Sequence, residues 1–257
     1  IDGRVAYTGG MNLADEYAGL SEPYGKWKDS ALRIRGSAVA NFTFLFLQLF
    51  GMCGPSDELN YTPYFDSLPK EATAGGYVHP FGTGPEPFYR TSVAENVFLT
   101  LINSAERYLY ITTPYLIMSH TVETALRNAA YRGVDVRIVT PHIPDKKIVF
   151  QMTRASYFPL LDSGVRIFEY TPGFIHAKQI IADGEIGFVG SINLDFRSLS
   201  HHFECGALIC HDPVLESIRR DFDGIFEVSA EMTSENFRMN RFGFLISRLL
   251  GLFAPLF

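Results

Sequence analysis

Apolar and polar positions alternate with period two over Val5–Thr8 and over Ala31–Arg35, which predicts two short strands, the first stopped by Gly9-Gly10. Residues 36–49, directly after the second strand, are apolar at helical spacing and predict a helix. Residues 53–84 hold Gly, Pro, Ser, Asp and Tyr with no sustained period, so they are expected to be a linker or large loop. A regular alternation then begins. Helices are predicted over 93–106, 122–132, 146–161 and 213–228, the last with Pro at its first turn. Strands are predicted over 108–112, 134–139, 165–168, 178–182, 186–189 and 207–210. Strands alternating with helices of this length imply an α/β layered domain whose sheet is covered on both faces. The tail 241–253, RFGFLISRLLGLF, is apolar on more than one stripe and reads as an amphipathic segment that could lie in a membrane interface.

Composition narrows this picture only a little. With 47% apolar and 19% charged residues among 257, the chain has ample material for a core. A net charge of −6 counts against a protein that grips nucleic acid through a basic face. Three cysteines, Cys53, Cys205 and Cys210, lack metal-ligand spacing and are expected to be reduced. The longest apolar run, Val39–Met52, falls short of the ~18 residues of a membrane span and carries Asn41, Thr43 and Gln48.

The chemistry is concentrated in HAKQIIADGEIGFVGSIN, which brings together His176, Lys178, Asp183, Gly190, Ser191 and Asn193. A phosphodiester is anionic and its alkoxide leaves poorly. Metal-free cleavage needs a nucleophile for phosphorus, cations for the oxygens and an acid for the leaving group. Imidazole titrates near neutrality and can serve as nucleophile or acid. In a strand His176 and Lys178 would emerge on one face. Asn193 and the backbone N–H groups around Gly190 and Ser191 can donate where negative charge grows. Asp183, before Gly184, is expected to set a turn or to hold Lys178.

The back half of this pattern also opens the chain. Setting Asp2 on Asp183 aligns Gly3 with Gly184, Gly9 with Gly190, Asn12 with Asn193 and Leu13 with Leu194 as identities. A partnering His and Lys would precede Asp2, so the chain, which starts at Ile1, is expected to be the C-terminal part of a longer protein. Glu204 precedes CGALIC as Asp29 precedes ALRIR, and each carboxylate could orient an imidazole. Tyr115 is a weaker candidate beside the site, as are His201 and His202; Asp145-Lys146-Lys147 reads as a solvated helix start.

The motif, with KWKDSALRIRG, ITTPYLI, RGVDVRIVTPHIPDKK, GVRIFEYTPGFIHAK, GSINLDFRSLSHHFECG and LFAPLF, resembles the phospholipase D superfamily and within it the bacterial cardiolipin synthases. The resemblance implies two similar α/β/α layered halves around a shared active-site cleft, the first half cut through here. The expected division is 1–60 for the rest of the first repeat, 61–84 for the linker, 85–230 for the second repeat and 231–257 for the tail. It implies a phosphatidyltransferase that joins two phosphatidylglycerols, releasing glycerol, through a phosphohistidine, with no metal or organic cofactor. By position it assigns catalysis to His176, Lys178, Asp183 and Asp2 and phosphate contacts to Asn12 and Asn193. The residue reading above adds Glu204 and Asp29 to the catalytic set and Gly190 and Ser191 to the phosphate contacts. Its partners would be phospholipid and the cytoplasmic membrane surface, with membrane helices upstream of this chain; no nucleic acid is expected, and oligomeric state is left open. Many members carry Asn where this chain has His202. Lacking a first His and Lys, the chain alone is expected to be inactive. A nuclease, another phosphatidyltransferase or hydrolase, and a lipid-binding scaffold are the alternatives.

Overall fold

A computed structural model of the chain describes residues 1–54, 60–66, 75–233 and 235–237. In chain order the first elements are β1 (Val5–Gly9), β2 (Lys26–Lys28), β3 (Ala31–Arg35), α1 (Val39–Met52), α2 (Thr62–Asp66) and β4 (Tyr77–Thr83). Then come α3 (Val93–Ser104), β5 (Tyr108–Thr112), β6 (Leu116–Ile117), α4 (His120–Tyr131), β7 (Asp135–Pro141), α5 (Lys147–Ala155), α6 (Tyr157–Asp162) and β8 (Arg166–Tyr170). The rest are β9 (Gly173–Ile175), β10 (Gln179–Ala182), β11 (Ile186–Gly190), β12 (Leu194–Asp195), a π-helical turn (Arg197–His201), β13 (Glu204–Cys210), α7 (Val214–Glu227) and β14 (Ser229–Met232).

Among the described residues eight strands form one sheet in the order β14-β8-β7-β5-β10-β11-β13-β4. β5, β7 and β8 run parallel, as helix-connected strands must, and the remaining pairs are antiparallel. One face is covered by α3, α4 and α6, where Phe98, Leu101, Leu126 and Leu160 pack on Leu109, Ile111, Ile138 and Ile167. Ser92 and Ser119 start α3 and α4 by accepting from the backbone N–H of Glu95 and Val122. The other face takes α7 through Leu215, Ile218 and Phe222, and the antiparallel β1–β3 hairpin through Ala6, Leu32 and Ile34. Each Leu, Ile or Phe among them contributes roughly 1.5–3 kcal/mol on burial, so the hairpin of the first repeat is docked on the second by its apolar face.

Three expectations change. Residues 53–84 are not all loop, because β4 pairs with β13 along seven residues as the sheet's edge strand. Pro80 and Gly82 hide it in the sequence, and an edge is where a strand tolerates proline. The helix expected over 146–161 is two helices, α5 and α6, since Pro159 has no N–H to give the carbonyl of Ala155. His176–Lys178 lies outside any strand, at the junction of β9 and β10. The apolar tail, 241–253, lies outside the described residues. Phe237, just before that stretch, is buried against Tyr157 and Phe158 at ring-centroid distances of 5.1 and 5.0 Å.

Candidate active site

The repeated half-motif folds the same way twice. Asp2 and Gly3 have φ of 50° and 64°, and Asp183 and Gly184 have 57° and 74°. Both are left-handed pairs, which an Asx-Gly sequence tolerates best, closed by Arg4 N–H to Ile1 O at 3.0 Å and Glu185 N–H to Ala182 O at 3.0 Å. β1 then pairs with β3 as β11 pairs with β13: Gly9 faces Ala31, and Gly190 faces Gly206. Asp29 and Glu204 therefore hold matching places, two residues before those partners.

This geometry moves Asp183 away from the chemistry. It sits at the far end of the β10–β11 hairpin from Lys178 and Gly190. Its carboxylate accepts the backbone N–H groups of Glu106, Arg107 and Tyr108 at 2.7–2.8 Å, fixing the turn from α3 into β5. Burial pushes its pKa up, but those three donors outweigh it and hold it below the usual carboxylate range. Expected as a catalytic group, Asp183 lies away from His176 and Lys178, its carboxylate on three backbone N–H groups and its carbonyl accepting from the Arg107 guanidinium at 2.6 Å. Asp2 takes the same turn at the other end of β1 from Gly9.

At the near end the halves meet. β2 pairs in parallel with β9, and the His176 N–H donates to Lys28 O at 2.7 Å, so a first-repeat segment steers the chain into His176. Asp29 Oδ2 lies 2.8 Å from His176 Nδ1, while Asp29 Oδ1 accepts Ser30 N–H at 2.8 Å. The imidazole thus takes its orienting carboxylate from the other repeat. With Nδ1 engaged by Asp29, Nε2 is the nitrogen left for chemistry. Burial lowers the His176 pKa, opposed by Asp29. The ring lies in an aromatic corner: Trp27 at 5.3 Å, Tyr17 edge-on at 5.4 Å and Phe174 at 6.1 Å.

Lys178 does not extend beside His176 from a strand. Its ammonium folds back to donate to the His176 carbonyl, because β10 begins only at Gln179 and Gly190 N–H already holds the Lys178 carbonyl at 3.3 Å. Only 3% exposed, Lys178 has its pKa brought down to about 7 by burial, against the pull of Asp29, Glu204 and Asp195. Gly10 forms the wall here: a Cβ would sit 2.4 Å from Asp29 Oδ1, 2.8 Å from His176 O and 3.0 Å from Lys178 Nζ, so only glycine fits. Its counterpart Ser191 donates to Glu204 Oε2 at 2.5 Å. Burial raises the pKa of Glu204, and likewise of Asp195.

The two asparagines flank this centre. Asn12 donates to Tyr17 Oη at 3.0 Å, and Tyr17 abuts the His176 ring. Asn193 donates to Asp195 Oδ2 at 3.0 Å, and its own Oδ1 is buried without a hydrogen-bond partner. Gly190 lies against Gly206 and Phe188, where a Cβ would approach within 2.6 Å. Tyr115 donates to Asp145 Oδ2 at 2.5 Å, so Asp145 is bound and not merely solvated. His202 Nδ1 stands 4.0 Å from Glu204 Oε1. Sequence reasoning missed Trp27, Tyr17 and Phe174, the buried Asp195, and the Lys28–Asp221–Gln179 cluster. KWK directly before Asp29, containing the chain's single Trp, was the available signal.

Among the described residues no three His, Cys, Asp or Glu side chains are grouped to hold a metal ion, and no helix is long and apolar enough to cross a membrane. The domain family described as "Cardiolipin synthase, PLD-like domain" matches residues 98–226. An uncharacterized protein of Streptococcus mutans is 44% identical over 258 residues, taking in 100% of this chain and 55% of its own length. A cardiolipin synthase of Geobacillus kaustophilus is 38% identical over 260 residues, 100% of this chain and 51% of its own. The chain spans about half the length of these relatives. The solved phosphatidylserine synthase of Haemophilus influenzae superposes with a TM-score of 0.68 at 18% identity, over 98% of this chain and 67% of that one, which speaks for the fold. The chain belongs to the cardiolipin synthase family of phospholipase D-like domains.

Proposed function

We propose that the protein to which this chain belongs transfers a phosphatidyl group between two phosphatidylglycerol molecules, making cardiolipin and glycerol at the cytoplasmic face of the cell membrane. One observation carries the reading: His176 of the second repeat is oriented by Asp29 of the first, beside the buried Lys178. Two repeats that share one imidazole's support are built to work as a pair.

In this reading the phosphate oxygens lie against Lys178, Asn193 and Asn12. An imidazole from the first repeat, preceding Asp2 in sequence and facing Glu204 as His176 faces Asp29, attacks phosphorus. A phosphorus–nitrogen bond forms as the bond to the glycerol oxygen breaks. His176, protonated at Nε2, gives its proton to that oxygen. The second phosphatidylglycerol then enters, His176 takes the proton from its hydroxyl, and the new phosphorus–oxygen bond expels the first imidazole. A positioned acid–base group of this kind contributes ~10²–10⁴-fold, and partners that act as a unit fail together. The chain of residues 1–257 holds one complete motif, so it does not turn over by itself.

The test is a parallel assay of the two-motif protein on vesicles containing phosphatidylglycerol and on single- and double-stranded DNA. Cardiolipin and glycerol appearing in equal amounts, and disappearing in His176→Gln, are the expected result. DNA cleavage without lipid transfer replaces this reading with the nuclease one.

A further inference from the structure

Three residues of β2 carry the first repeat into the site, and so short a strand makes few hydrogen bonds of its own. Lys26–Lys28 pairs with Gly173–Ile175, and Trp27 stacks on Phe174 at 4.8 Å. Lys28 adds a second attachment. Its Nζ donates to Asp221 Oδ1 on α7 at 2.7 Å, and Asp221 Oδ2 accepts from Gln179 Nε2 at 3.0 Å. Gln179 is itself fixed, only 3% exposed and donating its N–H to Thr112 Oγ1 at 3.1 Å.

Lys28 therefore grips the motif on both sides of Lys178. Its carbonyl takes the His176 N–H at 2.7 Å, and its ammonium reaches residue 179 through Asp221. The next residue along is Asp29, whose carboxylate meets His176 Nδ1 at 2.8 Å. The arrangement is one-sided. Asp29 corresponds to Glu204 and α1 to α7, both helices being 14 residues long, so Lys28 and Asp221 have Phe203 and Phe46 as counterparts. The cluster is not a common trait of the repeats; it belongs to the side that orients His176. A pair whose side chains are 26% and 34% exposed adds little to stability, so its effect is on where the short strand lies.

Resting on the phosphatidyltransfer reading above, we infer that Lys28, held by Asp221 and Gln179, is a positioning residue of the site: it keeps the Asp29 carboxylate on His176 Nδ1 and Nε2 turned to the reacting oxygen. Lys28 acts through Asp29, because a carboxylate orients a ring only from a backbone that is itself fixed.

The experiment reads the His176 pKa by NMR in the folded 257-residue chain, where Asp29, Lys178 and Asp145 are the charged groups that bear on the ring and Tyr17 stands edge-on to it. Lys28→Met leaves the Asp221–Gln179 bond in place and separates two causes by sign. Removing a nearby positive charge raises an imidazole pKa, whereas loosening Asp29 lowers it. The expected result is a fall of ~0.5–1 pH unit, part of the roughly 1–3 that a close opposite charge confers. In the Asp29→Asn background Lys28→Met should give no fall. A value unchanged or raised, or the same fall in both backgrounds, overturns the inference. Should Lys28→Met not fold, Asp221→Asn, which keeps an acceptor for Gln179, is judged by the same two comparisons.

Transfer assays separate this role from the reading it rests on. In the two-motif protein Lys28→Met should lower kcat about tenfold at nearly constant KM, short of the ~10²-fold that a 1 Å misplacement costs. An undiminished kcat overturns the positioning role. No transfer by the unchanged protein, with the NMR result as expected, rejects the phosphatidyltransfer reading and keeps Lys28 as the residue that positions His176.

Discussion

A lysine only 3% exposed, with its pKa near 7 against an ordinary 10.5, is an unusual thing to keep in a fold. Between those values the unfolded chain binds the proton and the folded one does not, so this group makes stability rise with pH from about 7 to 10.5. Anion binding must run the other way. A phosphate-like dianion needs the ammonium, so sulfate affinity should fall as pH rises through and above ~7. Titration calorimetry across about pH 6 to 9 measures this; a flat affinity would detach Lys178 from the anion site. His176 offers a second check. Asp29 favours its imidazolium, so Asp29→Asn should lower the His176 pKa further, read by histidine NMR in the 257-residue chain. A raised or unchanged value would mean that Asp29 does not support the ring. The roles of His176 and Asn193 were suggested by motif spacing, and that of Asn12 by the family resemblance. The fold of Lys178 back onto the His176 carbonyl was not, because it depends on where β10 begins.

At the scale of elements, the β10–β11 hairpin separates two duties within one motif. Gly190 and Lys178 sit at the end that meets the first repeat, and Asp183 at the end that anchors β5. Asp183→Ala strands three backbone donors and should cost ~1–3 kcal/mol, seen as a lower urea midpoint. Activity per folded two-motif molecule should stay near the unchanged level. A loss of turnover without a loss of stability would return Asp183 to the chemistry. The wild-type contribution, arising from a lowered carboxyl pKa, is present above the ordinary value of 3.8 and is lost as pH falls through the folded value. Most helices and strands were legible because they carry clean periods and serine or glycine signals at their ends. β4 was not, since its Pro80 and Gly82 are loop residues except at a sheet edge. β2 was not, since three residues, KWK, gain their extended form only by pairing with β9.

Over the whole molecule, the internal repeat was readable from eleven residues at the start of the chain, but which half serves which was not. Sequence spacing allowed Asp29 to support an imidazole of its own repeat or of the other, and only the docking of β2 on β9 brings it to His176. The cleft thus belongs to both repeats. Residues 1–257 alone should show no transfer of phosphatidylglycerol within the sensitivity of a radiolabel assay, and turnover by that chain would contradict the pairing. The most direct measurement is the position of a tungstate ion in crystals of the chain. The ion should lie within hydrogen-bonding distance of His176 Nε2 and Lys178 Nζ, with Asn193 at its edge, and should be absent from the Asp29→Ala variant. Tungstate bound with full occupancy elsewhere, and none beside His176, would contradict it.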